Sequence, residues 1–195
     1  VNGDGYADII VGDPDYPTPG PILGFSQGRA DLYFGSPTGL GTQPGWTGLG
    51  TGIGQSEDSH LSFSVAGAGD VNGDGFSDFI LGSRWIDDTR YVPYPFEGGL
   101  LFLGSARGPA SNYSSAVVAA VSYIQPGSIT GVGDVNGDGY ADVAVGAPDD
   151  YNSPLPIQGR ADLFLGGATG LATTPTWTRG TNQACLLYTS PSPRD

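Results

Sequence analysis

The chain has 195 residues, which indicates one domain or two short ones, and it carries 7 Arg and no Lys against 20 acidic residues, for a net charge of −13. Such an acidic surface repels phosphate and attracts cations, so it argues against nucleic acid as a partner and in favour of metal ions. No apolar run approaches the ~18 residues of a membrane helix, so the sequence predicts no membrane insertion.

An eight-residue block occurs three times and organises the chain. It reads Val-Asn-Gly-Asp-Gly, an aromatic residue, Ala or Ser, and Asp, and it begins at Val1, Val71 and Val135. The copies are spaced by 70 (71 − 1) and 64 (135 − 71) residues. A second block follows each copy and ends in Gly35, Gly104 and Gly166. Self-similarity at this spacing indicates a repeat architecture.

Each period contains four strand-like runs separated by Gly, Pro, Asn and Asp, which in the second period span 62–68, 78–82, 99–104 and 116–123. The run from Asp78 to Gly82 is apolar without alternation, as is typical of a strand covered on both faces. Four short strands per period predict an all-β fold, a partial β-propeller of about three four-stranded blades. The predicted blades are residues 1–59, 60–123 and 124–184.

A Trp-Thr pair closes the first and third periods. Trp46 lies 18 residues after Gly28 (46 − 28), and Trp177 lies 18 residues after Gly159 (177 − 159). The equal spacing predicts that the two tryptophans occupy equivalent positions on the outer strands of their blades.

The recurring block also has the pattern of a metal-binding loop. From Asp70 to Asp78, oxygen-bearing side chains stand at loop positions 1, 3, 5 and 9, with Gly75 at position 6 to turn the chain sharply. Six or seven oxygen ligands in a tight loop are the chemistry of Ca²⁺, whereas zinc would require His or Cys. The helical calcium motifs fit poorly, because their loops end in Glu at position 12 and these loops run into apolar strands.

The predicted ligands are oxygen atoms of side chains, together with the carbonyl of the aromatic residue at position 7. In the second loop they are Asp70, Asn72, Asp74, Phe76 (carbonyl) and Asp78, and in the third they are Asp134, Asn136, Asp138, Tyr140 (carbonyl) and Asp142. The first loop supplies Asn2, Asp4, Tyr6 (carbonyl) and Asp8, and its position 1 would precede Val1. The alternative is an Asx-rich turn that binds no metal.

The C-terminal tail does not share the repeat pattern. Residues 185–195 resemble the conceptual translation of a transposon-type sequencing adapter, so we expect them not to be native and to make no organised contacts with the blades. The alternative is a natural linker rich in Pro and Ser. Cys185, the single Cys, lies in this tail, so residues 1–184 are predicted to contain no disulfide.

The combination resembles the FG-GAP repeats of integrin α-subunit propellers and their bacterial relatives. The residues that carry the resemblance are the calcium loops, the segment Ser-Val-Ala-Gly-Ala-Gly-Asp from Ser64 to Asp70, and the Gly-Ala-Pro at 146–148. The resemblance implies that the three periods are part of a larger ring of about seven blades. It also implies that the calcium loop joins the innermost strand to the next strand, on the lower face.

By the same resemblance the loops of the upper face are Asp13–Gly28, Arg84–Gly98 and Pro148–Gly159. The middle loop combines aromatic residues, Arg and adjacent acids, which indicates either a contact with a protein or carbohydrate ligand or simple packing on the blade. His60 is interpreted as a strand-entry residue. Arg29 and Arg160 occupy the same blade position and are predicted to pair with a neighbouring carboxylate.

Three functions remain open at this stage. The first is a non-catalytic, calcium-stabilised extracellular propeller for adhesion or ligand binding, in which the remaining propeller blades of the same chain are also partners. The second is the propeller portion of a secreted enzyme, of a phospholipase or polysaccharide-acting type, whose catalytic domain lies elsewhere. The third is an enzyme within the propeller, using a carboxylate pair among Asp87, Asp88 and Glu97. Of these the first is preferred, because the recurring acids are assigned to metal and the chain has one His.

Overall fold

The computed structural model describes residues 1–19, 25–51, 59–86, 96–118, 128–150 and 158–180. These residues form eleven strands and no helix. The strands are β1 (Ile9–Asp13), β2 (Arg29–Tyr33), β3 (Trp46–Leu49), β4 (Ser64–Gly69), β5 (Asp78–Ile86), β6 (Phe96–Phe102), β7 (Ser115–Val118), β8 (Ser128–Gly133), β9 (Asp142–Asp150), β10 (Gln158–Phe164) and β11 (Trp177–Gly180). The predicted tail, residues 185–195, lies outside the described residues.

The strands form three antiparallel sheets, each built from strands that follow one another in the chain. Their orders are β1-β2-β3, β4-β5-β6-β7 and β8-β9-β10-β11. The first sheet has three strands among the described residues, and the loop of residues 1–8 precedes β1 as the second and third loops precede β5 and β9. Three consecutive meanders confirm the predicted all-β, partial propeller architecture.

Alternate residues of the central strand β5 belong to two different cores. Phe79 and Leu81 pack with Leu32 and other residues of the first sheet. Ile80, between them, packs with Val143 of the third sheet. The sheets therefore stack face to face in chain order, and the apolar run of β5 is covered on both sides.

The two tryptophans have equivalent registers, as predicted. Trp46 is paired with Leu32 across β2 and β3, and Trp177 is paired with Leu163 across β10 and β11. Trp46 packs edge-on against the second sheet, whereas Trp177 is 52% exposed on a sheet face that no described residue covers.

Two of the predicted upper loops are shorter than the sequence suggested. Strands β5 and β6 continue to Ile86 and from Phe96, so the ends of the predicted loop Arg84–Gly98 belong to a hairpin. Strands β9 and β10 likewise extend into the predicted loop Pro148–Gly159. The β9–β10 ladder has a register shift that spans Pro148 and Gly159, and the β5–β6 ladder has one between Ser83 and Ile86. The loop tips, residues 87–95 and 151–157, lie outside the described residues.

Both repeated arginines pair with a carboxylate on their own strand, as predicted. Arg29 Nη2 lies 2.8 Å from Asp31 Oδ2, and Arg160 Nη2 lies 2.6 Å from Asp162 Oδ2. A threonine on the neighbouring strand donates to each aspartate, at 2.6 Å from Thr47 and 2.7 Å from Thr178. The Asp31 pairing raises the pKa of Arg29.

His60 lies in the approach to β4, in agreement with its interpretation as a strand-entry residue. Its φ of 45° places it in the left-handed region, and its backbone N–H donates to the Ser26 carbonyl at 2.9 Å. The next residue, Leu61, is fully buried and bridges to Gly28 of the first sheet. The segment is therefore part of the joint between the first two sheets.

Candidate metal centre

The second and third recurring loops fold around the aspartate at position 1. Asp70 Oδ1 accepts hydrogen bonds from the backbone N–H groups of Gly73 (2.7 Å) and Asp74 (3.1 Å), and Asp70 Oδ2 accepts one from Gly75 (2.8 Å). Asp134 accepts the three corresponding bonds in the third loop at 2.7, 3.1 and 2.8 Å. The N–H of Gly139 is the main cause of a lowered pKa at Asp134. Gly75, at position 6, has a φ of 90°, which a side chain would strain.

Positions 3 and 5 are drawn together in all three loops. The amide nitrogen of Asn72 donates to Asp74 Oδ2 at 2.9 Å, and the corresponding pairs Asn2–Asp4 and Asn136–Asp138 lie at 2.9 and 2.8 Å. The other carboxylate oxygen of Asp74 accepts the N–H of Phe76 at 2.9 Å. In the first loop the same bond, from Tyr6, is the main cause of a lowered pKa at Asp4. One local geometry is thus repeated three times.

The aspartate at position 9 has a different role. Its side chain connects the loop to the glycine that follows the second strand after the loop. Asp78 Oδ2 accepts the N–H of Val71 at 2.9 Å, and Asp78 Oδ1 accepts the N–H of Gly104 at 2.8 Å. Asp142 makes the same two bonds, with Val135 at 2.8 Å and Gly166 at 2.9 Å. We refer to Asp8, Asp78 and Asp142 as the latch aspartates.

Asp8 completes the set of latch aspartates. Its Oδ1 accepts the N–H of Gly35 at 2.9 Å, while the α-amino group of Val1 takes the place of the valine N–H at 2.7 Å. The glycines that end the second block are needed for this contact. A Cβ on Gly35, Gly104 or Gly166 would run into the carbonyl oxygen of Ala7, Ser77 or Ala141, respectively. The recurrence of these glycines was the sequence signal for the latch, and the sequence reasoning did not use it.

The latch aspartates are buried, in contrast to the other acids of the loops. Asp78 is 1% exposed and Asp142 is fully buried. Burial raises the pKa of the Asp78 carboxyl to about 6, against the opposing hydrogen bonds from Gly104 and Val71. The negative charges of Asp74 and Asp70 add to the rise, so the carboxylates at positions 1, 5 and 9 are close enough to repel one another.

The structure brings the predicted side-chain ligands of each loop to one end of its sheet, between the innermost strand and the next. Their oxygens are directed at N–H groups, and no group of three or more His, Cys, Asp or Glu side chains among the described residues is gathered closely enough to hold a metal ion as it stands. The donor set itself consists of carboxylate, amide and carbonyl oxygens, which fits a hard cation such as Ca²⁺.

A cavity of about 360 Å³ lies between the first and second sheets, close to these loops. It is bounded by Ile10 and Leu32 on one side and by Gly67 and Phe79 on the other. Asp8 and Asp78 also line the cavity, so it lies beside the ends of the first and second loops.

The described residues contain no helix that is both long enough and apolar enough to cross a membrane.

Comparison with known proteins gives one family and a consistent set of relatives. The family model for the FG-GAP repeat matches residues 126–166. The chain is 31% identical over 157 residues to integrin alpha-PS2 of Drosophila melanogaster, a match that covers 75% of this chain and 11% of that protein. It is 36% identical over 126 residues to human integrin alpha-IIb, covering 63% of this chain and 12% of that protein.

A third relative is an enzyme. The chain is 28% identical over 155 residues to phosphatidylinositol-glycan-specific phospholipase D of Bos taurus, which covers 76% of this chain and 17% of that protein. The chain thus spans between a tenth and a fifth of the length of these three relatives.

Proposed function

The chain is an FG-GAP repeat protein similar to the integrin α propeller, and from this premise we propose that it is a non-catalytic, calcium-stabilised module that binds a protein or carbohydrate ligand outside the cell. The observation that carries the calcium proposal is the repetition of one loop geometry with oxygen donors in three places. The negative charges of Asp70 and Asp74 both raise the pKa of Asp78, and a cation would offset the charge that gathers at this end of the sheet.

In this proposal the cation is held in the second loop by Asp70, Asn72 and Asp74 and by the Phe76 carbonyl, with Asp78 completing the set. The third loop uses Asp134, Asn136, Asp138, the Tyr140 carbonyl and Asp142 in the same way. The first loop contributes Asn2, Asp4, the Tyr6 carbonyl and Asp8. A bound divalent cation supplies positive charge where these carboxylates crowd together, which stabilises the folded loops.

The extracellular location follows from the calcium proposal. Calcium outside cells is ~millimolar, and loops of ordinary affinity for extracellular modules are occupied at that concentration. The relatives named integrin favour a role in adhesion or ligand binding, with further blades of the same propeller as partners.

The second candidate is the propeller portion of a secreted enzyme whose catalytic domain lies outside this chain. The observation that favours it is the similarity to phosphatidylinositol-glycan-specific phospholipase D. The coding sequence on either side of this segment distinguishes the two: an adjacent hydrolase domain supports the enzyme, and further FG-GAP repeats followed by a membrane anchor support the adhesion module.

Calcium is expected to raise the melting temperature of the chain, and a chelator to lower it. A cation that binds only the folded state stabilises it by RT ln(1 + [Ca²⁺]/Kd), roughly 2.7 kcal/mol per site at a hundredfold excess over Kd. The measurement is thermal unfolding with calcium and with chelator, for the original sequence and for the double variant Asp74→Ala plus Asp138→Ala.

The double variant is expected to keep only the smaller calcium response that the first loop supplies. Its control is Thr38→Ala plus Thr47→Ala, which alters two polar residues of the first period away from the loops and should keep the calcium response. A melting temperature of the original sequence that calcium does not change would show that the loops are only Asx-rich turns.

A further inference from the structure

Each of two loops is covered by the aromatic residue of the next loop along the chain. A Cβ built on Gly73, at position 4 of the second loop, would lie 2.8 Å from Cε1 of Tyr140, at position 7 of the third loop. A Cβ on Gly3 would lie 2.6 Å from Cε1 of Phe76, at position 7 of the second loop. The rings therefore lie directly on the glycine backbone of the preceding loop. Gly137, in the third loop, has no described atom within 4 Å of its Cβ position.

Backbone hydrogen bonds reinforce the same connection between the second and third loops. The N–H of Ala141, at position 8 of the third loop, donates to the carbonyl of Asp70 at 2.9 Å. The N–H of Gly167 donates to the carbonyl of Val71, also at 2.9 Å. Val71 is fully buried in a cluster that includes Val143 and Phe164 of the third sheet, whereas Val135, at the same position of the third loop, is 52% exposed. The second loop is thus held in place by residues of the third.

The contacts come from the residues that a cation would fix. Position 7 supplies the carbonyl proposed as a ligand in its own loop, and its side chain covers the preceding loop. We propose that neighbouring loops are energetically coupled through this aromatic residue, so that a divalent cation held by the third loop tightens the second loop and strengthens cation binding there. The proposal rests on the calcium binding proposed above. By linkage, binding at the second loop strengthens binding at the third to the same extent.

The aromatic side chain can be removed without removing a ligand, because Tyr140 contributes only its carbonyl to its own loop. Tyr140→Ala therefore cuts the proposed connection and keeps the ligands of both loops, while Tyr140→Phe keeps the ring. Gly73→Ala and Gly137→Ala form a matched pair, since the two glycines have φ values of +72° and +77° and an alanine at either position would be strained alike. Only Gly73→Ala would displace the Tyr140 ring.

The experiment is an NMR titration of the full chain with calcium alone, following the amide of Gly75 for the second loop and that of Gly139 for the third. Disabling the third loop with Asp134→Ala plus Asp138→Ala is expected to weaken calcium binding at the second loop by about fivefold. In the Tyr140→Ala background, where the backbone hydrogen bonds remain, the same change is expected to weaken binding by less than about twofold, and Tyr140→Phe should restore the full effect. Amide exchange in chelator supplies a readout without metal: Tyr140→Ala should speed exchange at Gly75, and Gly73→Ala should speed exchange at Gly75 by more than Gly137→Ala speeds it at Gly139.

The outcomes separate the two proposals. Calcium binding at both loops, with a second-loop Kd that is unchanged when the third loop is disabled, overturns the coupling and leaves the calcium function intact. If calcium binds to neither loop, the proposed calcium function is wrong, and the coupling is wrong with it. If disabling the third loop shifts the second-loop Kd equally in the Tyr140→Ala and Tyr140→Phe backgrounds, the ring is not the connection.

Discussion

Replacement of Asp78 by alanine is expected to lower the free energy of unfolding by about 3 kcal/mol in chelator. The carboxylate accepts the N–H groups of Val71 and Gly104, and both would be left without a partner inside the protein. Each buried donor left unpaired costs about 1–3 kcal/mol. The native protein also has to bury the negative charge of Asp78, as the raised pKa indicates, and the alanine variant does not carry this cost. The expected loss of stability is therefore below the sum of two full penalties. Urea unfolding in the presence of chelator measures it.

The matched variant is Asp74→Ala in the same loop. Asp74 is exposed, and its hydrogen bonds are local, so in chelator its replacement should change the free energy of unfolding by only about 0.5 kcal/mol. With calcium present, both variants should lose the stabilisation that the second loop gains from the cation. Equal losses for the two variants in chelator would mean that the latch aspartate contributes no more than an ordinary loop acid.

The loops could be predicted from the sequence because their chemistry is local. Asp70 caps N–H groups three to five residues away, and Asn72 and Asp74 meet across two residues. Such bonds depend only on the order of Asx and Gly residues within one turn. The same holds for the strands, whose apolar runs and spacing predicted three meanders in the observed order.

The role of Asp78 could not be predicted in this way. Its partner Gly104 is 26 residues further along the chain, and the bond exists only because β6 ends beside the loop. The ring of Tyr140 on Gly73 depends likewise on how two separate sheets stack. The extension of β5 to Ile86 was missed for a related reason, since the ladder with β6 stabilises residues whose Gly-Ser-Arg sequence reads locally as a turn.

The stacking of the sheets also determines the environment of the two tryptophans, each of which precedes a threonine and lies 18 residues after Gly28 or Gly159. Trp46 lies against Phe79 and Phe102, with ring centroids 5.4 and 5.2 Å away in edge-on geometry. The two phenylalanines are themselves stacked at 5.1 Å and nearly parallel, so the three rings form one aromatic cluster between the first and second sheets. Trp177 has the same register on its sheet and no described neighbour of this kind.

Replacement of Trp46 by alanine is therefore expected to lower the free energy of unfolding by about 3 kcal/mol, through lost apolar contact and the cavity left beside the phenylalanines. Trp177→Ala should lower it by less than about 1 kcal/mol, because half of that side chain is already in water. Trp46→Phe, which keeps an aromatic ring against Phe79, should recover part of the loss. Chemical denaturation of the three variants measures the difference, and near-ultraviolet circular dichroism should lose the aromatic signal in Trp46→Ala alone. Equal losses for Trp46→Ala and Trp177→Ala would contradict the packing of Trp46 against Phe79 and Phe102 of the second sheet.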